Sequence, residues 1–487
     1  MRIQLVNAPL LAAGHQGEYQ TNQWQPMGIM YLASYLRLNY PSPLEIKLTD
    51  GTLLGIAKTL EVILDYAPDI LGISALTANS TGGYLLVNQV KQKKPTTFII
   101  FGGVHASALP EEVYRRSKTD LVVVGEGEQT LLEVLNAFTH NKKNYSSIPG
   151  LAIKKKNRIC LTSKREFIKN IDTIPFPAHD LLENRDRYSG WYFRQQSPET
   201  TIMSTRGCPY HCFFCVDVIW KSATPTWRPR SAKNVVDELE YLQKNFGIRE
   251  YFDLCDEFNA TESWAIEVCN EIIKRKLKFT WKCQMRVDKV SSNLACHLAK
   301  AGCWFVNLGV ESGNQETLDG IGKKIRLDQV EKACRTLKKF GIKIGLLMMI
   351  FNIWSNKGKL AFEDVNDSLN SLRFAKNLVS RGLADYFSWG PTIPYPGSSL
   401  FTFALKNNLI PSNVIGHWEK WNNIWGVPIN LPGVSRADYI KIKTWGVFWQ
   451  TVHILKNMHQ GLNLNTFTQL TSRFFGLLSF VLKTKKK

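Results

Sequence analysis

Long apolar runs and closely grouped cysteines are scarce in this chain of 487 residues. No window holds the roughly 18 apolar residues that a membrane-spanning helix requires. Residues 1–6 have the pattern of a β-strand and lack the charged start and apolar stretch of a signal peptide. Ten cysteines are too few for a disulfide scaffold at this length. We therefore expect a cytoplasmic protein in a reducing compartment, with at most a peripheral membrane contact.

Acidic residues are in deficit, because 41 Asp and Glu stand against 61 Lys and Arg, which gives a net charge of +20. Such an excess suits an anionic partner, and it is equally typical of a solvated basic surface. The positive charge is spread along the chain, so it singles out no partner. We do not expect nucleic acid to be one.

The first domain, which we place at residues 1–145, alternates short β-branched runs with helical patterns. This alternation predicts an α/β domain with a parallel, doubly wound, Rossmann-like sheet. Ligands of such sheets bind at the carboxyl ends of the strands. The predicted strands are Ile3 to Val6, Glu45 to Thr49, Ile70 to Ser74, Phe98 to Phe101 and Leu121 to Val124.

Glycine and small polar residues follow these predicted strands. Glycine lets a backbone approach a ligand closely, and hydroxyl and amide groups supply hydrogen bonds. A large, flat cofactor fits such an edge; the alternatives are tight turns that only close the sheet, and a dinucleotide-binding turn at Gly125-x-Gly127. The candidate contacts are Ser74, Thr77, Gly102, Gly103, His105, Gly125, Glu126, Gly127 and Glu128.

Residues 146–195 have the composition of a linker. A hairpin is predicted around Lys154 to Asn157, and a proline-rich passage follows at Ile174 to Ala178. Proline fixes the backbone and cannot join a central strand, so this passage is expected to run extended between two domains.

A second βα series occupies residues 196–405. Its six repeats predict a partial (βα)6 barrel, with functional groups at the carboxyl ends of the strands. The predicted strands are Thr200 to Ser204, Tyr251 to Leu254, Thr280 to Met285, Trp304 to Gly309, Ile344 to Met349 and Tyr386 to Trp389.

The last region, residues 406–487, is expected to be small and mainly helical. It contains an apolar run, Phe474 to Leu482, followed by a lysine-rich tail. The run is too short to cross a membrane. A terminal helix packed on the body is the favoured interpretation, and contact with an anionic lipid surface is the alternative.

Three cysteines, Cys208, Cys212 and Cys215, follow the first strand of the second series. An iron–sulfur cube normally takes four thiolates, so a loop that offers three leaves one iron open for a substrate. Zinc bound with His211 or a distant ligand is an alternative, although no second close pair of ligands exists for it. Buried structural cysteines are the other alternative.

The segment Arg206-Gly-Cys-Pro-Tyr-His-Cys-Phe-Phe-Cys215 resembles the cluster loop of the radical S-adenosylmethionine (SAM) superfamily. Gly102-Gly-Val-His105, Val124-Gly-Glu-Gly-Glu128 and Ile174-Pro-Phe-Pro177 resemble the cobalamin-binding branch of that superfamily. The resemblance covers the chain up to its last region. It implies a [4Fe-4S] cluster on the three cysteines, SAM on the open iron, and cobalamin at the edge of the first sheet.

The resemblance also implies contacts to SAM from residues that follow the predicted barrel strands and from the cluster loop. Carboxylates suit its ammonium group and an arginine suits its carboxylate. These residues are Phe214 beside the adenine, Asp256 and Glu257 at the ammonium group, Arg286 at the carboxylate, and Glu311 and Ser312 at the ribose or methionine part.

Two features depart from the family pattern. The Asp-x-His-x-x-Gly signature of a cobalt-ligating histidine is absent, so His105 is expected to be a loop contact rather than a cobalt ligand. Met349 to Ser355 replaces the Gly-Leu-Pro type of turn that is common after the fifth strand. We expect the adenine-side contacts to differ there.

The resemblance implies a methyltransferase that acts on an unactivated carbon of a lipid-like or other small molecule. One SAM methylates cobalamin, a second yields a 5′-deoxyadenosyl radical that removes hydrogen from the substrate, and methylcobalamin supplies the methyl group. An external electron donor such as flavodoxin or ferredoxin is the implied partner. Two alternatives stay open, a cobalamin-dependent radical cyclase or oxidoreductase without methyl transfer, and a non-catalytic cobalamin or iron–sulfur sensor.

Overall fold

The computed structural model describes residues 1–11, 24–140, 144–156, 158–188, 193–216, 218–221, 223–421 and 429–456, with side chains up to residue 452. Two sheets dominate these residues, one of seven strands and one of six. No helix in the described ranges is long and apolar enough to cross a membrane.

The first sheet has the strand order β2-β1-β3-β4-β5-β6-β7. Its first five strands are parallel, as predicted, and the last two are antiparallel. The elements are β1 (Arg2–Asn7), α1 (Met27–Asn39), β2 (Glu45–Asp50), α2 (Gly51–Tyr66), β3 (Ile70–Ser74), α3 (Ser80–Lys93), β4 (Phe98–Gly102), α4 (Val104–Ala108), α5 (Pro110–Arg116), β5 (Leu121–Val123), α6 (Glu128–Thr139), β6 (Leu151–Lys155) and β7 (Arg158–Leu161).

The central strands of this sheet are buried on both faces. In β3, Ile70, Leu71 and Ile73 are at most 2% exposed, and Gly72 is buried as well. The strand is therefore a continuous buried run without the alternation of a half-exposed strand. The hairpin predicted around Lys154 is confirmed as β6 and β7. It extends the first sheet through β5, and the part of the predicted linker that holds it therefore packs as sheet.

The second sheet has the order β17-β14-β13-β12-β11-β8, and all six strands are parallel. Its two edge strands are not paired with each other, so the barrel is open and partial as predicted. Its elements, with those inserted between them, are β8 (Glu199–Ile202), β9 (Thr205–Gly207), β10 (Trp227–Pro229), α7 (Ala232–Phe246), β11 (Glu250–Asp253), α8 (Glu262–Lys274), β12 (Thr280–Met285), α9 (Ser292–Lys300), β13 (Cys303–Glu311), α10 (Gln315–Gly320), α11 (Leu327–Lys339), β14 (Lys343–Ile350), β15 (Ile353–Asn356), β16 (Lys359–Phe362), α12 (Val365–Ser380) and β17 (Tyr386–Pro391).

The amino end of the barrel is closed by a buried lysine. Lys282 on β12 is fully buried, and its Nζ lies 2.6 Å from Glu199 Oε1 on β8 and 2.9 Å from Glu250 Oε1 on β11. Because alternate residues of a strand share a face, Phe305 and Asn307 on the neighbouring β13 face the same interior. These buried charges therefore fill the amino end of the barrel.

The two domains also meet near the amino end of the barrel. Gln25 accepts hydrogen bonds from Thr200 Oγ1 at 2.7 Å and Thr201 Oγ1 at 3.0 Å, and the Trp24 ring stacks on Phe252. All these contacts lie on β8 and β11, close to where the strands begin.

The last region folds back onto the first domain. After α13 (Ser399–Lys406), a strap at residues 409–421 buries Trp418 and Trp421 completely, and α14 (Arg436–Lys456) follows. Trp418 Nε1 donates to Glu112 Oε1 at 2.5 Å, and Arg116 donates to the Gly416 carbonyl. The apolar run predicted at Phe474 to Leu482 lies outside the described residues.

Candidate functional site

The loop that carries Cys208, Cys212 and Cys215 leaves β9 at the carboxyl side of the barrel. Its centre is pinned from two sides, because the Phe213 amide donates to the Ile321 carbonyl at 2.8 Å and the Leu400 amide donates to the Phe213 carbonyl at 3.0 Å. The loop therefore has a fixed course next to α10 and α13.

The three thiols are free and lie near one another; Cys208 and Cys212 are half-buried and Cys215 is exposed to solvent. Burial, together with the neighbouring Cys212 and Cys208 thiols, raises the pKa of Cys215 to about 12, and burial raises the pKa of Cys208 to about 11. Such thiols become thiolates when iron binds them. No three His, Cys, Asp or Glu side chains in the described ranges are gathered closely enough to hold a single metal ion.

Asp256 and Glu257 follow β11, next to this loop. Asp256 accepts the Gly207 amide at 2.9 Å. Its side chain meets solvent, yet burial raises its pKa, so it lies in a concave part of the surface. Glu257 is 5% exposed, and burial raises its pKa to about 7. Both predicted SAM contacts are thus at the cluster loop.

Arg286 ties the cluster loop to the barrel. Its guanidinium lies 3.7 Å from the centre of the Tyr210 ring and donates to Asp288 Oδ1 at 2.9 Å and to the Lys323 carbonyl at 2.8 Å. The predicted contact to the SAM carboxylate stays a prediction. The structure also shows that Arg286 stacks on Tyr210 of the cysteine loop.

Glu311 lies at a bulge near the end of β13, where the register with β14 shifts after Gly309. Its φ of 71° is unusual for a residue that is not glycine. Its carboxylate accepts from Lys323 Nζ at 2.9 Å. Sequence reasoning missed Lys323, a buried cation beside the cysteine loop. Lys323 lies in the turn that follows α10, not directly after a barrel strand.

Ser312 lies in a buried hydrogen-bond network, and its contact with SAM stays a prediction. It is fully buried and donates to Glu363 Oε1 at 2.6 Å. Glu363 also accepts from Asn352 Nδ2 at 3.0 Å and from Ser371 Oγ at 3.2 Å. Asn307 faces the barrel interior, and alternation along the strand puts Val306, Leu308 and Val310 on the opposite, buried face that leads to Ser312.

We predict that Ser312→Ala lowers the free energy of unfolding by about 1–3 kcal/mol, because it removes the shortest of the hydrogen bonds that the buried Glu363 carboxylate accepts. The SAM dissociation constant is expected to change by no more than about twofold. The loss of a hydrogen bond to SAM would weaken binding by more than this. Urea unfolding and calorimetric SAM titration measure the two effects. A weakened SAM affinity with unchanged stability would contradict the assignment.

Phe214 is half-buried and packs against the main hydrophobic core. Phe213 beside it makes an edge-on contact with Phe403. These rings shield the cluster loop from one side. The position of Phe214 beside the adenine stays a prediction.

His105 is fully buried in the first domain and both of its ring nitrogens have partners. Nε2 lies 2.7 Å from Tyr84 Oη, and Nδ1 lies 3.3 Å from Thr77 Oγ1. Burial and Arg116 lower the pKa of His105 to about 3. These bonds give His105 a structural role between Tyr84 and Thr77, and the contact of His105 and Thr77 with cobalamin stays a prediction.

The edge of the first sheet is open and lined with small residues. Gly103 has a φ of 98°, and a Cβ there would lie 2.6 Å from the Ala75 carbonyl oxygen. Gly125 has a φ of 90°, and no atom of the described residues lies within 4 Å of where its Cβ would be. Leu10 and Leu76, which follow β1 and β3, are 41% and 60% exposed. A flat, largely apolar ligand fits this edge, with Ser74, Gly102 and Gly127 alongside it.

Glu126 and Glu128 are buried and bound by arginines. Arg206 on β9 donates to Glu126 Oε1 at 2.9 Å and to Glu128 Oε1 at 2.6 Å, and Arg228 on β10 donates to both Glu126 oxygens. Burial alone would raise the pKa of Glu126, but the bonds from Arg228 and Arg206 hold it below its ordinary value. Both carboxylates are thus engaged by arginines, and their contact with cobalamin stays a prediction.

Two family models match the chain, the B12 binding domain over residues 20–135 and the radical SAM superfamily over residues 202–357. An uncharacterized methyltransferase of Pyrococcus horikoshii is 30% identical over 404 residues, which are 82% of this chain and 82% of that protein. The chain belongs to the cobalamin-dependent radical SAM methyltransferase family. It is an enzyme whose cofactors are SAM, cobalamin and a [4Fe-4S] cluster, and the sensor alternative is set aside.

Other relatives of this radical SAM enzyme extend the comparison. The anaerobic magnesium-protoporphyrin IX monomethyl ester cyclase of Rubrivivax gelatinosus is 26% identical over 386 residues, 78% of this chain and 66% of that protein. The solved structure of OxsB, a cobalamin-dependent SAM radical enzyme with aqua-cobalamin and SAM bound, has a TM-score of 0.71 at 18% identity and covers 97% of this chain and 70% of that chain. The predicted two-domain fold is confirmed.

Proposed function

We propose that this enzyme methylates an unactivated carbon of a mainly apolar small molecule that carries a neutral polar group. When bound, the cluster and SAM supply a 5′-deoxyadenosyl radical, and cobalamin supplies the methyl group. The single observation that carries the proposal is that the ligand-binding edges of the two sheets adjoin. Glu126, which follows β5, is bonded to Arg206, two residues before Cys208.

A second contact supports this arrangement. A Cβ on Gly397, in the loop after β17, would lie 3.3 Å from the Ala108 Cβ at the end of α4. The carboxyl end of the barrel thus packs directly against the carboxyl edge of the first sheet. A substrate between them would lie within reach of both cofactor sites.

The barrel interior supports the proposed substrate class. Register places Leu347 of β14 on the same face as Asn307, and Leu347 is partly exposed. Asn307 is 1% exposed and its Oδ1 has no hydrogen-bond partner in the described part of the chain. The Asn307 Oδ1 atom packs against Gly345, where an added Cβ would lie 2.5 Å from it. An unpaired buried amide costs stability unless a ligand pairs with it, and a neutral amide suits a hydroxyl or amide group.

We predict that Asn307→Ala costs about 1 kcal/mol of unfolding free energy or less, because Asn307 Oδ1 makes no internal hydrogen bond. Methylated product should fall about tenfold, the cost of one lost hydrogen bond to substrate. Formation of 5′-deoxyadenosine should be retained. Product and nucleoside are both measured by chromatography, and an unchanged product yield would remove Asn307 from the substrate site.

The experiment that tests the function is anaerobic reconstitution with iron, sulfide and hydroxocobalamin, followed by incubation with methyl-labelled SAM, a strong reductant and host lipid extract. We expect cluster absorbance, 5′-deoxyadenosine and a labelled lipid-soluble product. Protein that binds a cluster but leaves SAM intact would contradict the proposal. Flavodoxin or ferredoxin is proposed as the natural reductant, and replacing the chemical reductant by reduced flavodoxin tests that partner.

A radical cyclase without methyl transfer is the second candidate, favoured by the likeness to the Rubrivivax gelatinosus cyclase. It predicts 5′-deoxyadenosine and an altered substrate that carries no label. The same incubation separates the two, because only methyl transfer moves the labelled carbon.

A further inference from the structure

Four buried charged side chains join the first sheet to the cluster-bearing strand, and we call them the arginine clamp: Glu126, Glu128, Arg206 and Arg228. Arg206 and Arg228 lie directly opposite each other in the antiparallel pairing of β9 with β10. All four residues are at most 8% exposed. Two cations face two anions, so the clamp is neutral as a whole.

The hydrogen bonds of the clamp fix both the distance and the orientation of its side chains. One guanidinium of Arg206 spans two carboxylates, and Arg228 grips Glu126 with two donors at 3.0 and 2.8 Å. Paired donors of this kind fix orientation as well as distance. Buried ion pairs contribute little net stability compared with apolar packing of the same volume, and the best attested reason to keep them is that they select one arrangement.

The planes of both arginines are held by aromatic rings. The Arg206 guanidinium lies 5.1 Å from the Tyr31 ring of α1, and that of Arg228 lies 4.2 Å from the Phe167 ring. Arg228 also donates to the Ile168 carbonyl at 2.9 Å. Three segments therefore hold the same pair of side chains, and neither arginine can rotate without losing several contacts.

The clamp lies between the two cofactor sites. On one side, Glu126 and Glu128 flank Gly127 in the turn that bounds the open edge of the first sheet. On the other side, Arg206 is two residues before Cys208. The contact of Gln25 with Thr200, in contrast, joins the same domains near the amino end of the barrel.

We propose that the arginine clamp sets the separation and orientation of cobalamin relative to the [4Fe-4S] cluster, so that Glu126, Glu128, Arg206 and Arg228 are positioning residues. This inference rests on the proposed function, because methyl transfer requires both cofactors to reach one substrate. Loss of the clamp uncouples radical formation from methyl transfer while both cofactors stay bound.

The test uses the full chain with both cofactors loaded. Glu126→Gln and Glu128→Gln keep the side-chain shape and remove the charge. Arg206→Lys keeps the charge and removes the planar guanidinium that bonds two carboxylates at once. Gln25→Ala is the control, because Gln25 joins the same two domains elsewhere. Electron paramagnetic resonance of the reduced protein reads the magnetic coupling between cob(II)alamin and the reduced cluster. Thermal unfolding and the ratio of methylated product to 5′-deoxyadenosine are measured in parallel.

We expect the clamp variants to bind both cofactors, to show an altered magnetic coupling, and to lose about tenfold in product per 5′-deoxyadenosine, which corresponds to about 1.4 kcal/mol. Gln25→Ala is expected to unfold at a lower temperature with unchanged coupling. Clamp variants with wild-type coupling and product ratio would overturn the inference. If a glutamine variant fails to fold, Arg206→Lys decides alone. A wild-type protein that does not cleave SAM would sink the proposed function instead, so the two failures are distinguishable.

Discussion

Cys212→Ala is expected to lose its iron, from about four atoms per chain to a small residue, because a cube held by three thiolates cannot be kept by two. Its 5′-deoxyadenosine formation should fall to background. The course of the loop is held at Phe213 by bonds to Ile321 and Leu400, which opposes a rearrangement of the loop that would compensate for the missing ligand. Iron and sulfide analysis, cluster absorbance and nucleoside chromatography measure the loss.

The matched control for this variant is Cys296→Ala. Cys296 lies on α9, on the outside of the barrel, and is half-buried. It should keep a full cluster and normal SAM cleavage. A Cys212→Ala protein with wild-type iron content would show that the cluster has a different ligand set.

Gly125→Ala is expected to weaken cobalamin binding at least tenfold, about 1.4 kcal/mol, because its Cβ would enter the open space that the ligand is predicted to fill. The folded state should lose only the strain of a positive φ, about 1–2 kcal/mol. Absorbance titration with hydroxocobalamin measures the first effect and urea unfolding the second.

Two other glycine variants show whether a loss of cobalamin binding comes from the filled space or from backbone strain. Gly341, at the amino end of β14, has a φ of 75° and open space where its Cβ would be, so Gly341→Ala should cost the same stability and leave cobalamin binding unchanged. Gly103→Ala would place a Cβ 2.6 Å from Ala75 and should cost about 3 kcal/mol or more through combined clash and strain. Equal cobalamin affinities for Gly125→Ala and Gly341→Ala would place the ligand elsewhere.

The strands were predictable because each is a short, largely buried run rich in β-branched, aromatic or other apolar residues, and this signal is local. The strand predicted at Thr280 to Met285 has the observed bounds, and the other predicted barrel strands differ from those observed by one or two residues at an end. The cysteine loop was predictable for the same reason, since its spacing carries the chemistry.

The roles of several polar residues were not predictable, because they depend on partners far away in the chain. Glu126 looks like a ligand contact until Arg206 and Arg228 are brought to it. Ser312 sits in a motif-like segment, but its partner Glu363 lies 51 residues further along the chain. The hairpin of β15 and β16 follows β14 where Met349 to Ser355 departs from the family pattern, and its local sequence gives no strong turn signal before Lys357-Gly358.

The strap that seats Trp418 on Glu112 has a consequence for biosynthesis. The two partners are separated by 306 residues, so the first domain leaves the ribosome long before the strap that covers it. At about 5–20 residues per second this interval is roughly 15 to 60 s. During that time the pocket for Trp418 is bare, and a nascent chain released early would carry an uncovered apolar surface for chaperones and proteases to recognise.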